Sequence, residues 1–437
     1  MNLTSNPVQE IFGDVVCPGD KSISQRILII GSLLECDINV SGFLNAKDPL
    51  STMAALNQIG ASINKDGDLV RIKKRSRPFN NPESAIDLGN SGTGIRLLTG
   101  FVSGLNLKAT LVGDESLSQR PMSRVIDPLV KMGKKILSND GKTPIKIIGG
   151  SINDNFKYQM PVASAQVKSS LILASLSSGN SIQIKEPKAT RDHTEKMIEH
   201  CGGKIDVQKS SEGKIISLYK SNLSEMSSYE VVGDFSSAAF LIVSALISKK
   251  SKVLIKNVGL NSTRIGLLEV LLKMNANIKI INRRKTCNEI CGDLIVESSD
   301  LVGIEVPDNI IPNIIDEIPI ISIAAAFADG DTLIRDAAEL RVKESDRLQA
   351  VSEGFSVLGI MHENFEDGMN IHGSSNTLLI DQSVSIESYD DHRIAMSFLI
   401  AGLKCSQSIT VRNCENIFTS FPNFIELISS IGYELEK

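Results

Sequence analysis

The chain has 437 residues, 42% apolar and 22% charged, with 46 Lys and Arg against 51 Asp and Glu and a net charge of −5. That length calls for two or more domains with sizeable cores, and the acidic balance and lack of Trp argue against a nucleic-acid surface. No run is apolar for long enough to span a bilayer, the best being 235–248, and the N-terminus has neither an apolar leader core nor an Arg/Ser-rich transit segment. Six copies of one pattern then follow in chain order. Each has a helix of small and apolar residues, a β-branched strand, a loop, an amphipathic helix and two more short strands. The strands fall at 37–41, 109–113, 181–185, 252–256, 331–335 and 408–412. The amphipathic helices end at Ile59-Gly60, Met132-Gly133, Cys201-Gly202, Met274-Asn275, Leu358-Gly359 and Ile431-Gly432. A spacing of roughly 70–80 residues is too long for a solenoid unit and suits a βαβ-type unit with extra strands.

The first helices are apolar on all sides, as at 169–176, 238–245, 320–328 and 394–401, and so are expected to be buried; the amphipathic ones, such as 48–59 and 192–200, belong outside. The copies divide as three plus three. A Ser-rich stretch at 221–233 and the turn Pro18-Gly19-Asp20 mark two crossings. Residues 1–19 with 234–437 are therefore expected to form one α/β domain and residues 20–233 the other, with the segment before Cys17 adding a strand to the first. Two crossings make a natural hinge.

The first helices open on Lys21-Ser22-Ile23-Ser24-Gln25-Arg26, Asn90-Ser91-Gly92-Thr93-Gly94-Ile95-Arg96, Ser164-Ala165-Gln166-Val167-Lys168, Gly233-Asp234-Phe235-Ser236-Ser237, Asp316-Glu317-Ile318-Pro319 and Asp390-Asp391-His392-Arg393. Ser, Asn and Asp are ordinary N-caps. Lys and Arg in a first turn oppose the helix dipole by up to about 1 kcal/mol each. A bound anion would remove that conflict, because free N–H groups, dipole and side chains would all serve it. Any single basic residue there is explained as well by solvation; the set is not. If the helix starts of each half face the other half, the cleft between them is an anion trap. The glycines at 89–94 make no Walker loop, since no Lys-Ser/Thr follows, but small residues there permit close backbone approach.

Further cations are Arg120, in Ser118-Gln119-Arg120-Pro121-Met122, Lys343 and Arg347, four apart in Leu340-Arg341-Val342-Lys343-Glu344-Ser345-Asp346-Arg347, and Arg393. On a helix Lys343 and Arg347 share a face, either in a solvated charge ladder or toward a ligand. Guanidinium forks match carboxylates and phosphates, so several of them imply a substrate, or a pair, with multiple anionic groups. Asp316 and Glu344 are the carboxylates suited to proton transfer; the alternatives are an N-cap for Asp316 and a salt bridge to Arg347 for Glu344. Among cations both are expected to be ionised, which suits a base. His392 reads as a capping or orienting group, and His193 sits at a helix start capped by Thr190 or Asp192. The seven cysteines are scattered; only Cys287 and Cys291 lie close together, and no second pair completes a zinc site. They read as thiols of a reducing compartment, so a cytoplasmic location is expected.

At these motifs the chain closely resembles the EPSP synthase (3-phosphoshikimate 1-carboxyvinyltransferase) family, and its second class in particular. The matching segments are Pro18-Gly19-Asp20-Lys21-Ser22-Ile23-Ser24-Gln25-Arg26, Leu88-Gly89-Asn90-Ser91-Gly92-Thr93, Gln119-Arg120-Pro121-Met122, Ser164-Ala165-Gln166-Val167-Lys168-Ser169-Ser170, Arg191-Asp192-His193-Thr194-Glu195-Lys196, residues 340–347, and Asp391-His392-Arg393-Ile394-Ala395-Met396. The resemblance implies a two-domain inside-out α/β barrel of six βαβαββ repeats with buried helices, the active site lying in the cleft between the domains. It implies transfer of the enolpyruvyl group of phosphoenolpyruvate to the 5-hydroxyl of shikimate 3-phosphate, with no metal or organic cofactor, by a monomer without nucleic-acid or membrane partners. It assigns shikimate 3-phosphate to Lys21, Ser22, Arg26, Ser164, Gln166, Asp316 and Lys343. Phosphoenolpyruvate falls to Lys21, Gly92, Arg120, Gln166, Arg347 and Arg393, and proton transfer to Asp316, Glu344 and Lys21. Two departures stand out: Ala165 where many relatives have Ser, and Thr419 where many have Lys, a loss for which Lys168 is the candidate substitute. Glyphosate occupies the phosphoenolpyruvate site in this family, and Gly92 leaves room for it. The rivals are an amino-sugar nucleotide enolpyruvyl transferase, whose usual reactive Cys is absent from Leu117-Ser118-Gln119, and a non-catalytic anion-binding protein, against which Asp316 and Glu344 argue.

Overall fold

A computed structural model describes residues 1–211, 213–375 and 377–437. The chain divides into two units, one of Met1–Pro18, Val232–Lys285 and Ile290–Lys437, the other of Gly19–Val231 with Thr286–Glu289.

The second of these units holds three four-stranded sheets of one design. In each, a short leading strand runs parallel to a second strand, which continues antiparallel into a hairpin. The leading and second strands are Ser228–Glu230 with Ile38–Ser41, Ile86–Asp87 with Ala109–Val112, and Phe156–Gln159 with Ile182–Glu186. The leading strand of the first sheet is thus drawn from the end of the unit. Three buried helices accompany the sheets: α1 (Lys21–Gly31), α2 (Gly92–Gly104) and α3 (Ala165–Ser178). Glycine sets how closely α2 and α3 approach. A Cβ at Gly100 would lie 2.0 Å from the Ser170 main-chain oxygen, and one at Gly104 would lie 1.9 Å from Ser177 Oγ. Gly179, in the left-handed region at φ 70°, ends α3.

The other unit repeats the design around α4 (Phe235–Ile247), α5 (Ile318–Ala326) and α6 (His392–Ala401), in which every residue is buried. The N-terminal segment supplies two strands here rather than the single one expected. Glu10–Val16 pairs parallel with Lys250–Gly259, and Leu3–Ser5 pairs antiparallel with Ile409–Arg412. The middle sheet has three strands among the described residues, and the parallel bridges Val302–Asp329 and Glu305–Leu333 stand where a leading strand would. Buried Leu, Ile, Val, Ala and Phe side chains from helices and inner sheet faces make up the core. Among the described residues no helix is long and apolar enough to cross a membrane.

Candidate active site

In the unit built on α1–α3, side-chain bonds join the three helix starts. Asp20 caps α1 by accepting from Ile23 N at 2.8 Å, Ser91 caps α2 by accepting from Gly94 N at 3.1 Å, and Ser164 caps α3 by accepting from Val167 N at 3.4 Å. Gln25 Nε2 donates to Ser91 Oγ at 2.8 Å and to the Asp48 carbonyl at 3.2 Å, tying α1 to the cap of α2. Lys21 Nζ lies 3.1 Å from Asp48 Oδ2. Arg26 is buried, donating from Nε to Thr194 Oγ1 at 2.8 Å, from Nη2 to Ser169 Oγ at 3.0 Å and from Nη1 to the Ser22 carbonyl at 3.0 Å. Gln166 is a bridge: its Oε1 accepts from Arg96 Nη1 at 2.6 Å and its Nε2 donates to Thr93 Oγ1 at 3.0 Å. Arg120, also buried, donates from Nη2 to Asn90 Oδ1 at 2.5 Å and faces Gly92, where an added Cβ would meet its Nη1 at 2.8 Å. Lys21, Ser22, Arg26, Gly92, Arg120, Ser164 and Gln166 therefore belong to one connected set.

Lys168, the candidate substitute for the Lys missing at Thr419, is engaged in the interior. Only 1% exposed, its Nζ bonds Glu195 at 2.7 Å and Glu186 at 3.1 Å. Burial opposes its charge, but the two carboxylates prevail and raise its pKa. Neither residue proposed to cap His193–His200 does so: Thr190 Oγ1 donates to Glu186, and Asp192, at the N-cap position, makes no side-chain cap bond.

In the other unit the acidic and basic candidates converge. Lys343 and Arg347 do not form a solvated helical ladder. A 3-10 turn ends at Val342, and the next helix, Arg347–Leu358, begins at Arg347 behind its cap Asp346. The two cations meet instead at Asp316 Oδ1, 3.5 Å from Lys343 Nζ and 3.4 Å from Arg347 Nη1. Asp316 is not a cap, because Glu317 takes the N-cap position of α5. Arg347 is 1% exposed; its Nη2 bonds Glu344 at 2.6 Å and its Nε bonds Asp391 Oδ2 at 2.8 Å. Burial works against the Arg347 charge, yet Asp391, then Glu344 and Asp316, raise its pKa. Burial would likewise push Asp391 up, but Arg347 outweighs it and holds that carboxyl below the usual range. Asp391 also caps α6, accepting from Arg393 N at 2.8 Å. Arg393 Nη1 donates to the Asp316 carbonyl at 2.7 Å. Asp316, Lys343, Glu344, Arg347 and Arg393 thus form the second set.

Sequence reasoning missed four supports: Asp48 under Lys21, Arg96 behind Gln166, Asp391 holding Arg347, and Glu317 beside Arg393. Arg96, Asp391 and Glu317 stood inside the helix-start motifs and carried a signal; Asp48 carried none. The cysteines are all free thiols, and among the described residues no group of His, Cys, Asp and Glu could hold a metal ion.

The family model described as EPSP synthase (3-phosphoshikimate 1-carboxyvinyltransferase) matches residues 5–428. The chain belongs to the EPSP synthase family. It is 46% identical to the 3-phosphoshikimate 1-carboxyvinyltransferase of Petrotoga mobilis, with 99% of each chain covered. It is 44% identical to that of Ruthia magnifica, over 98% of this chain and 97% of that one. The EPSP synthase of Acinetobacter baumannii superposes with a TM-score of 0.87 at 38% identity, covering 100% of this chain and 99% of the other. NikO, an enolpyruvyl transferase of Streptomyces tendae, shares the fold at a TM-score of 0.78 and 14% identity. The enzyme moves the 1-carboxyvinyl group of phosphoenolpyruvate onto the 5-hydroxyl of 3-phosphoshikimate and releases phosphate, by addition and elimination through a tetrahedral intermediate. It serves the shikimate pathway.

Proposed function

We propose that the two sets of residues act together on one substrate pair, and that each domain supplies part of the site. Lys21, Ser22, Arg26, Ser164, Gln166, Asp316 and Lys343 hold 3-phosphoshikimate. Lys21, Gly92, Arg120, Gln166, Arg347 and Arg393 hold phosphoenolpyruvate. Asp316 takes the proton of the 5-hydroxyl as that oxygen attacks C2, while the methylene carbon gains a proton from Glu344. In the elimination step the bond to phosphate breaks, Glu344 recovers a proton from the new methyl group, and the proton held by Asp316 leaves with the departing phosphate. At rest Arg347 pairs with Glu344 at 2.6 Å. An anionic substrate that draws the arginines onto itself supplies the negative charge that lets Glu344 hold a proton. Lys21 balances charge near the breaking phosphate bond, and the fixed guanidiniums stabilise what develops at C2. The enzyme works as a cytoplasmic monomer, in keeping with its free thiols.

The observation that carries these assignments is the shared oxygen of Asp316, which both Lys343 and Arg347 approach. The test is phosphate release from phosphoenolpyruvate with 3-phosphoshikimate for Asp316→Ala and Glu344→Ala. Each variant is expected to lose about 10²–10⁴-fold in kcat, the usual contribution of a positioned acid or base. Parent-like kcat in either variant removes that residue from proton transfer.

A further inference from the structure

Glu317 is a carboxylate that the reaction scheme leaves without a task. It precedes α5 at the N-cap position yet makes no side-chain cap bond, and it is 1% exposed. Its Oε1 accepts the hydroxyl of Ser236, in the first turn of α4, and lies 3.3 Å from Arg393 Nη1. The same Ser236 oxygen accepts from Arg264 Nη2 at 2.7 Å, and that nitrogen also pairs with Asp234 Oδ1 at 3.1 Å. The network therefore links α4, α5 and α6. Glu317 Oε2 is buried and has no hydrogen-bond partner among the described residues. Burying a half-satisfied carboxylate is costly, and packing alone would favour an apolar residue there.

Arg393 gives the carboxylate a purpose. Nη1 is taken up by Glu317 and by the Asp316 carbonyl, while Nε and Nη2 form no hydrogen bond with any described residue. We infer that Glu317 is a positioning residue: it clamps the guanidinium by one nitrogen and reserves the other two for phosphoenolpyruvate. Because Glu317 does not touch the substrate in this arrangement, its loss acts on the affinity for one substrate through Arg393. A bidentate grip fails when the fork is free to rotate, and the cost falls on the group that fork binds.

The inference rests on the assignment of Arg393 to phosphoenolpyruvate. Its test is steady-state kinetics of Glu317→Gln, Glu317→Ala and Arg393→Ala, with each substrate varied in turn and thermal unfolding measured alongside. Glu317→Ala is expected to raise the KM for phosphoenolpyruvate about tenfold or more while that for 3-phosphoshikimate stays within about twofold. Glu317→Gln keeps an acceptor for Ser236 without the charge and is expected to show a smaller rise in the same KM. The inference is overturned if Arg393→Ala raises that KM and neither Glu317 variant does, or if both KM values rise together with loss of folded protein. If Arg393→Ala leaves the KM unchanged, the assignment of Arg393 fails and takes the inference with it.

Discussion

A methyl group placed on Gly92 would lie 2.8 Å from Arg120 Nη1, 3.4 Å from Arg96 Nη1 and 3.9 Å from Leu117 Cδ1. Gly92 opens α2, so alanine is compatible with the backbone and better suited to a helix. The nearest obstacle is the end of a flexible side chain, and it is relieved if Arg120 retreats by roughly 0.6 Å, the shortfall from ordinary van der Waals contact. Arg120 is anchored to Asn90 by a 2.5 Å bond, so the retreat also disturbs that anchor. A displacement of about 1 Å in a substrate-positioning group can cost about a hundredfold, and one of this size should cost about tenfold, or about 1.4 kcal/mol. Gly92→Ala is therefore expected to raise the KM for phosphoenolpyruvate about tenfold with the KM for 3-phosphoshikimate and the melting temperature little changed. Glyphosate, an inhibitor of this family that the resemblance assigns to the phosphoenolpyruvate site, is the longer molecule and should lose more affinity than phosphoenolpyruvate. The assay is inhibition by glyphosate at varied phosphoenolpyruvate, parent beside variant. Unchanged phosphoenolpyruvate KM and unchanged glyphosate inhibition would refute both the placement of Arg120 in the site and the crowding argument.

Asp391→Asn takes the strongest charge partner from a buried arginine and should destabilise the fold by up to about 3–5 kcal/mol, less whatever Glu344 and Asp316 retain. Because the Asp391 carboxyl is held below the usual range, its contribution is complete above about pH 4 and is lost as pH falls through the depressed folded value. The gap in stability between parent and variant should thus be steady near neutrality and close toward acid pH; a gap unaltered in acid would contradict the pairing with Arg347. Lys168→Met strands Glu186 and Glu195 in the interior and should lower stability by about 3–5 kcal/mol in urea unfolding. Its phosphoenolpyruvate KM should stay near that of the parent, and a selective rise in that KM at unchanged stability would restore Lys168 as a substrate ligand.

Much of the molecule is written in local signals. Asp20, Ser91, Ser164, Asp234 and Asp391 all cap the helices whose starts they mark, since a cap bond spans only two or three residues. The six buried helices were legible for the same reason: a helix without a polar face has no surface to offer water. Sheet completion was less legible. Leu3–Ser5 and Ile409–Arg412 pair across nearly the full chain, and a backbone ladder leaves no mark on either sequence. The sequence offered candidate site residues, helped by motifs shared with the family, but not the contacts among them.

The amino-acid sequence alone marked the caps of five of the six buried helices and the chemistry that so many cations and two acids can serve, because each of these depends on near neighbours and on side-chain type. Folding decided the pairings. Lys343 and Arg347 meet over Asp316 instead of along a helix, Lys168 is sealed between Glu186 and Glu195, and Glu317 lies against Arg393. Charges choose partners by distance and by how much water is excluded around them, and both quantities exist only once distant segments of the chain have packed together.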